Sequence, residues 1–471
     1  MRRSLVRRGG PVGPLILLAV SVATAFGAAR EPGRSASEVA LSPTKAPVLS
    51  ARRVPARLAT LVADSRLRVA VDDALANPVL GGGRERSCIV VRQGPRTIMA
   101  RRADERLVPA SNLKILTALA ALSRLGAEEK LVTEVRVGRT LGAGGVVDGP
   151  LWLIGGGDPV LATADYAASF ENQPQLFTPL ETLADAVVKA GVRQVRGGII
   201  GDESRYDRQR YVPTWRQVYI TDSESGPASA LGVNDGFAQF SPRKVAAAEP
   251  DVHAAGVLTG LLQARGVVVD GVPAEGQAPE GAPLVARISS PPVRDLVGQM
   301  LRESDNLTAE LLVKELGRRF AGAGTTTAGV GVVRQALASA SLPVEHLAAV
   351  DGSGLDRSDR ASCTLLMAAL AVAGARGPLA AGFPLAGREG TLAKRFQGNP
   401  AAGRLRAKTG ALAEVAGLTG YVDSATGAPP LAFAFLVNQL PRDAIGRALQ
   451  EQLGALLAAY PDAPAPDILA P

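Results

Sequence analysis

The chain has 471 residues, 46% of them hydrophobic and 20% charged, enough apolar material for a sizeable core and too much for a largely disordered protein. Two cysteines and two histidines exclude a zinc ribbon, a disulfide-dense scaffold and any site that needs several imidazoles. The net charge is +8, but Arg2, Arg3, Arg7 and Arg8 all fall in the first 29 residues, which hold no acidic residue; the remainder lacks the basic runs interleaved with aromatics that would point to nucleic acid.

In chain order, those arginines precede an apolar run over residues 14–29. It reads as a cleaved secretory signal, with an uncleaved membrane anchor as the second reading. Either puts the body of the protein outside the cytoplasm, secreted or periplasmic, and confines membrane contact to this segment. Residues 30–60, rich in Ala, Arg, Pro and Ser, read as a linker. The pattern then predicts a helix over 61–75, a hairpin of strands over 88–91 and 96–99, and a helix over 111–125 that is apolar nearly all round and therefore buried. Strands over 133–137, 151–154, 195–200 and 266–270 follow, with helices over 179–190 and 252–265. Residues 201–241 carry little regular pattern.

From residue 284 the elements lengthen. A strand over 284–288 leads to helices over 292–302, 307–316, 327–340 and 364–373, strands over 404–408, 415–422 and 431–437, and an amphipathic helix over 443–458. The organisation expected is one domain in two parts, 61–130 and 285–471, with a strand-rich insertion over 131–284. In an exported protein Cys88 and Cys363 can form a disulfide, or stay as two buried thiols; the sequence leaves both open.

Three short patterns can carry chemistry. Ser111 and Lys114 are three apart on a helix and share a face. Burial disfavours the ammonium form, so Lys114 can serve as a base for the Ser111 hydroxyl, which lies where helix N–H groups favour developing negative charge. Ser304, Asp305 and Asn306 lie between two helices, where a loop can present a hydroxyl and an amide, although Asn306 can also be read as a simple helix cap. Lys408, Thr409 and Gly410, at the end of a strand, suit a terminal carboxylate. Eight lysines in the whole chain make Lys114 and Lys408 informative.

Each pattern alone is weak; in this order and setting they resemble the penicillin-recognising serine acyl-transferases. The 193 residues from Ser111 to Ser304 narrow the resemblance to the D-alanyl-D-alanine carboxypeptidase/endopeptidase family of penicillin-binding protein 4 (peptidase family S13). Gly-Gly-Gly-Asp-Pro at 155–159, Gly-Pro-Ala-Ser-Ala-Leu at 226–231 and Asp-Gly-Ser-Gly-Leu at 351–355 are similar to family segments as well. The resemblance implies an α/β (α+β) fold: an antiparallel sheet flanked by helices, an all-helical part and a large insertion.

It also implies roles. Ser111 is the acylated nucleophile, Lys114 the acylation base and Ser304 a proton relay. Asn306 binds the substrate amide, Lys408, Thr409 and Gly410 line the carboxylate subsite, and the N–H groups of Ser111 and Ala411 form an oxyanion hole. Asp202 is expected near the substrate's diaminopimelyl amine. No metal or cofactor is implied; the partners are peptidoglycan stem peptides, with β-lactams as inhibitors. The alternatives kept beside this are a serine β-lactamase, for which no E-x-x-L-N segment is found, and a non-catalytic wall-binding protein. Ala411 stands where relatives often carry Ser or Thr, which predicts weaker carboxylate binding.

Overall fold

The computed structural model describes residues 54–138, 141–465 and 468. The signal-or-anchor segment and most of the expected linker lie outside them. The linker does not reach residue 60: a helix runs over Val54–Ala76, seven residues earlier than expected. Pro55 sits in its first turn, where a missing N–H costs nothing, and Ala and Arg extend it.

Five antiparallel strands form the main sheet, in the order Leu405–Leu412, Val415–Val422, Leu431–Val437, Ser87–Gln93, Arg96–Arg101. Its middle strands are nearly continuous apolar runs because both faces are covered; all eight residues of Val415–Val422 are buried. Side chains alternate between two cores. Ile89, Val91, Phe433 and Phe435 pack under the helices Val54–Ala76 and Asp443–Ala459. Cys88, Val90, Ala434 and Leu436 face a bundle that contains the helices Leu113–Arg124, Val293–Glu303, Asn306–Phe320, Thr326–Ser339 and Cys363–Ala373. Cys88 meets Cys363 on that second face and the two form a disulfide, with Cα atoms 6.0 Å apart.

A second five-stranded sheet, of mixed direction, has the order Ala274–Glu275, Ile199–Asp202, Leu151–Ile154, Val132–Val137, Leu284–Ser289. It packs on the helices Leu180–Lys189 and Pro250–Gln263. The strand Leu284–Ser289 pairs with Val132–Val137 and so belongs to this sheet, on the far side of the break expected at 284/285. Just after this strand the chain closes on itself, since Ser290 N donates to the Leu131 carbonyl at 2.8 Å and Leu131 N to Ser290 Oγ at 2.9 Å. The strand expected over 195–200 is two strands, Gln194–Val195 and Ile199–Asp202, divided at Gly197 and Gly198. Among the described residues no helix is long and apolar enough to cross a membrane.

Candidate active site

Ser111 sits in a tight turn, Ala110–Asn112, that leads directly into the helix Leu113–Arg124. Nine of that helix's residues are buried, Lys114 among them, with no side-chain atoms left to solvent. Lys114 Nζ therefore spends its three hydrogens inside the protein: on Ser111 Oγ at 3.0 Å, Asn306 Oδ1 at 2.6 Å and the Ser353 carbonyl at 2.8 Å. Burial lowers its pKa to about 8, against the opposing pull of Asp351, Asp305, Glu310 and Glu224.

The break between the helices Val293–Glu303 and Asn306–Phe320 positions the next group. Ser304 takes a left-handed conformation, φ 63°, which ends the first helix and turns its hydroxyl toward the sheet. Asp305, not Asn306, caps the second helix, accepting from the N–H groups of Leu307 and Thr308. Asn306 is thereby free to bridge: its Oδ1 accepts from Lys114 and its Nδ2 donates to the Glu224 carbonyl at 2.6 Å.

Lys408, Thr409 and Gly410 lie within the strand Leu405–Leu412 rather than at its end, because pairing with Val415–Val422 continues through Ala411 and Leu412. Lys408 is fully buried; its Nζ donates to Ser304 Oγ at 2.9 Å and to the Thr409 carbonyl at 2.8 Å. Burial first, then the neighbouring Lys114, push its pKa well down. Gly410 and Gly417 face each other across the two strands, and a Cβ on either would come within 2.4 Å of Asn112 Nδ2. Both glycines let the sheet lie directly against the turn that carries Ser111.

These pieces line one cleft of 920 Å³, which exposes Ser111, Ser304, Asn306, Thr409, Gly410 and Ala411. Lys114 and Lys408 lie beneath them. Asp202 is not there. It is 4% exposed, and its carboxylate accepts from the N–H groups of Ser204 at 2.9 Å and Ala278 at 2.8 Å, which ties together loops of the second sheet. Its position in a Gly-Asp-Glu-Ser strand end gave no sign of this.

Two groups escaped the sequence reading. Glu310 is buried and accepts from the N–H groups of Gly352 at 3.0 Å and Ser353 at 2.9 Å. Desolvation raises its pKa to about 8, with the charge of Asp351 adding to the shift. Ser353, read as shaping a turn, does so, and the turn delivers its carbonyl to Lys114. Neither His253 nor His346 lines the cleft. The only close grouping of metal-capable side chains among the described residues, Glu249, Asp251 and Glu275, lies outside the cleft and gathers around the Arg208 guanidinium.

Comparison with known proteins finds relatives over most of the chain. The profile of the D-Ala-D-Ala carboxypeptidase 3 (S13) family matches residues 67–244 and 238–460. A D-alanyl-D-alanine carboxypeptidase of Actinomadura sp. (strain R39) is 29% identical over 483 residues, covering 86% of both chains. Carboxypeptidase DacB of Mycolicibacterium smegmatis is 30% identical, covering 94% of this chain and 95% of its own. Among solved structures, penicillin-binding protein 4 of Haemophilus influenzae superposes with a TM-score of 0.67 at 21% identity, over 79% of this chain and 95% of that one.

Proposed function

This chain belongs to the D-Ala-D-Ala carboxypeptidase 3 (S13) family, and from that premise we propose that it is a serine-type D-Ala-D-Ala carboxypeptidase that cleaves peptidoglycan stem peptides through an acyl-enzyme and is inhibited by penicillin. The observation that carries the reading is Lys114 Nζ, fully buried and 3.0 Å from Ser111 Oγ. Neutral Lys114 takes the hydroxyl proton as Ser111 Oγ attacks the carbonyl between the two D-alanines. The oxyanion is held by the N–H groups of Ser111 and Ala411. As the C–N bond breaks, Ser304 passes its proton to the departing amine and is reprotonated by the Lys114 ammonium, which returns Lys114 to the neutral form, and Lys408, donating to Ser304, supports that transfer. Water then attacks the ester and frees Ser111. Thr409 and Lys408 receive the terminal carboxylate, and Asn306 the substrate amide.

The same constellation suits cleavage of D-Ala–diaminopimelate cross-links, so endopeptidase activity is part of the proposal. The protein acts outside the cytoplasm, delivered by residues 1–29 as signal or anchor. The portions before residue 130 and after about residue 290 form the catalytic domain, with the intervening residues inserted into it.

Intact mass before and after brief incubation with benzylpenicillin tests the reading. A gain of one penicillin, absent in Ser111→Ala, is expected. Rapid hydrolysis of penicillin without an adduct would favour a β-lactamase. A folded chain with neither adduct nor hydrolysis would return the wall-binding protein.

A further inference from the structure

The turn that holds Lys114 is itself held from an unexpected direction. The Asp351 carboxylate, 2% exposed, accepts from the N–H groups of Gly354 at 2.7 Å and Asp356 at 2.8 Å, closing residues 351–356 into a tight loop. Its third donor comes from far away in sequence: the indole N–H of Trp215, at 2.8 Å. The neighbouring Thr214 hydroxyl donates to Asp356. Val212 and the Trp215 ring pack on Leu355. Thus residues 212–215 grip both ends of the turn whose Ser353 carbonyl accepts from Lys114. On its inner side the turn is fixed to the bundle by Glu310 and by Thr117, whose hydroxyl donates to the Gly352 carbonyl at 2.8 Å. Trp215 itself is not among the residues lining the cleft.

We propose that Trp215 is a positioning residue for the Lys114 base: its indole N–H, acting through Asp351, fixes the turn that presents the Ser353 carbonyl to the amine. The proposal rests on the acyl-enzyme reading above. Lys114 is faced by Asp351 from the turn, Glu310 and Asp305 from the helix and cap beyond it, Glu224 from the segment that also carries Trp215, and Lys408 from the strand. The Ser353 carbonyl accepts from the ammonium and so favours the charged form. Asp351 is also faced by the buried Asp359 carboxyl; when the indole donor is lost, the Asp351 carboxylate has one partner fewer, the turn loosens and that acceptor retreats. The ammonium is then less favoured, so Lys114 deprotonates at lower pH, and the amine is less well aimed at Ser111 Oγ.

The test is the rate of acylation by benzylpenicillin against pH, with kcat and KM for D-Ala release, for the wild-type chain and Trp215→Phe. Phenylalanine keeps most of the ring packing and removes the donor. The plateau acylation rate is expected to fall at least fivefold, the acidic limb to move down by roughly half a pH unit, and KM to stay within twofold. If Trp215→Phe does not fold, benzothienylalanine at position 215, which keeps the indole shape with sulfur in place of N–H, reads out the same link. Rates and limb unchanged from wild type, with or without a lower melting temperature, would overturn the proposal alone. A wild-type chain that takes no penicillin would overturn the acyl-enzyme reading and this inference with it.

Discussion

A lysine with the usual pKa near 10.4 is neutral in roughly one molecule in 2,500 at pH 7. With Lys114 held at about 8, the fraction is about one in ten. The base must be unprotonated to act, so acylation by penicillin is expected to rise with pH through about 8 and then level off, where a site using an ordinary histidine would level off nearer 6.5. A pre-steady-state pH profile measures this limb. Lys114→Ala should lower the plateau by roughly 10²- to 10⁴-fold, the usual worth of a positioned general base, while leaving Ser111 in place. That Ser111, Lys114, Ser304, Asn306, Lys408 and Thr409 would gather at one place was legible in the sequence, because each short motif sets its side chains at a fixed spacing. Glu310 and Trp215 were not, since they act by hydrogen bonds to the backbone or side chains of distant segments, and no local spacing encodes those. Asp202 lies outside the cleft, and the sequence could not say so, because a carboxylate at a strand end satisfies backbone N–H groups as readily as it binds a ligand.

Among the elements, the contact between the strand Leu405–Leu412 and the turn Ala110–Asn112 sets the cleft's geometry. Gly410→Ala would place a methyl 2.4 Å from Asn112 Nδ2 and 2.8 Å from the Pro109 carbonyl. Asn112 is buried and the carbonyl is backbone, so neither can withdraw. The strand must shift away from Ser111, and acylation by penicillin should fall at least tenfold, a larger loss than the variant's change in melting temperature would suggest. Comparison of acylation rate with thermal denaturation checks this. Periodicity located nearly all the long elements; the strands 415–422 and 431–437 emerge with the bounds expected. It failed at boundaries fixed by tertiary pairing. The strand carrying Lys408 runs four residues past its expected end because its partner does. The strand Leu284–Ser289 sides with the second sheet because of a pairing partner about 150 residues back, which no local pattern reveals.

At the scale of the whole molecule, the disulfide ties a strand of the main sheet to a helix of the bundle, its two cysteines 275 positions apart in sequence. In the chain-entropy picture a loop of that size is worth about 5 kcal/mol. Reduction, or Cys363→Ser, should lower the urea midpoint clearly in equilibrium unfolding without moving the pH limb of acylation, because neither sulfur touches the cleft. The sequence could not decide between bridge and thiols, since the pairing depends on two faces meeting across the fold. The sheet itself carries a further consequence. Its central ladder joins Ser87–Gln93 to Leu431–Val437, so the earliest strand finds its neighbour only among the last to be made. Such distant pairing gives slow folding with high contact order. While the chain is being synthesised, the platform beside Lys408 cannot form, so the nucleophile gains its surroundings only once the last strands have been made.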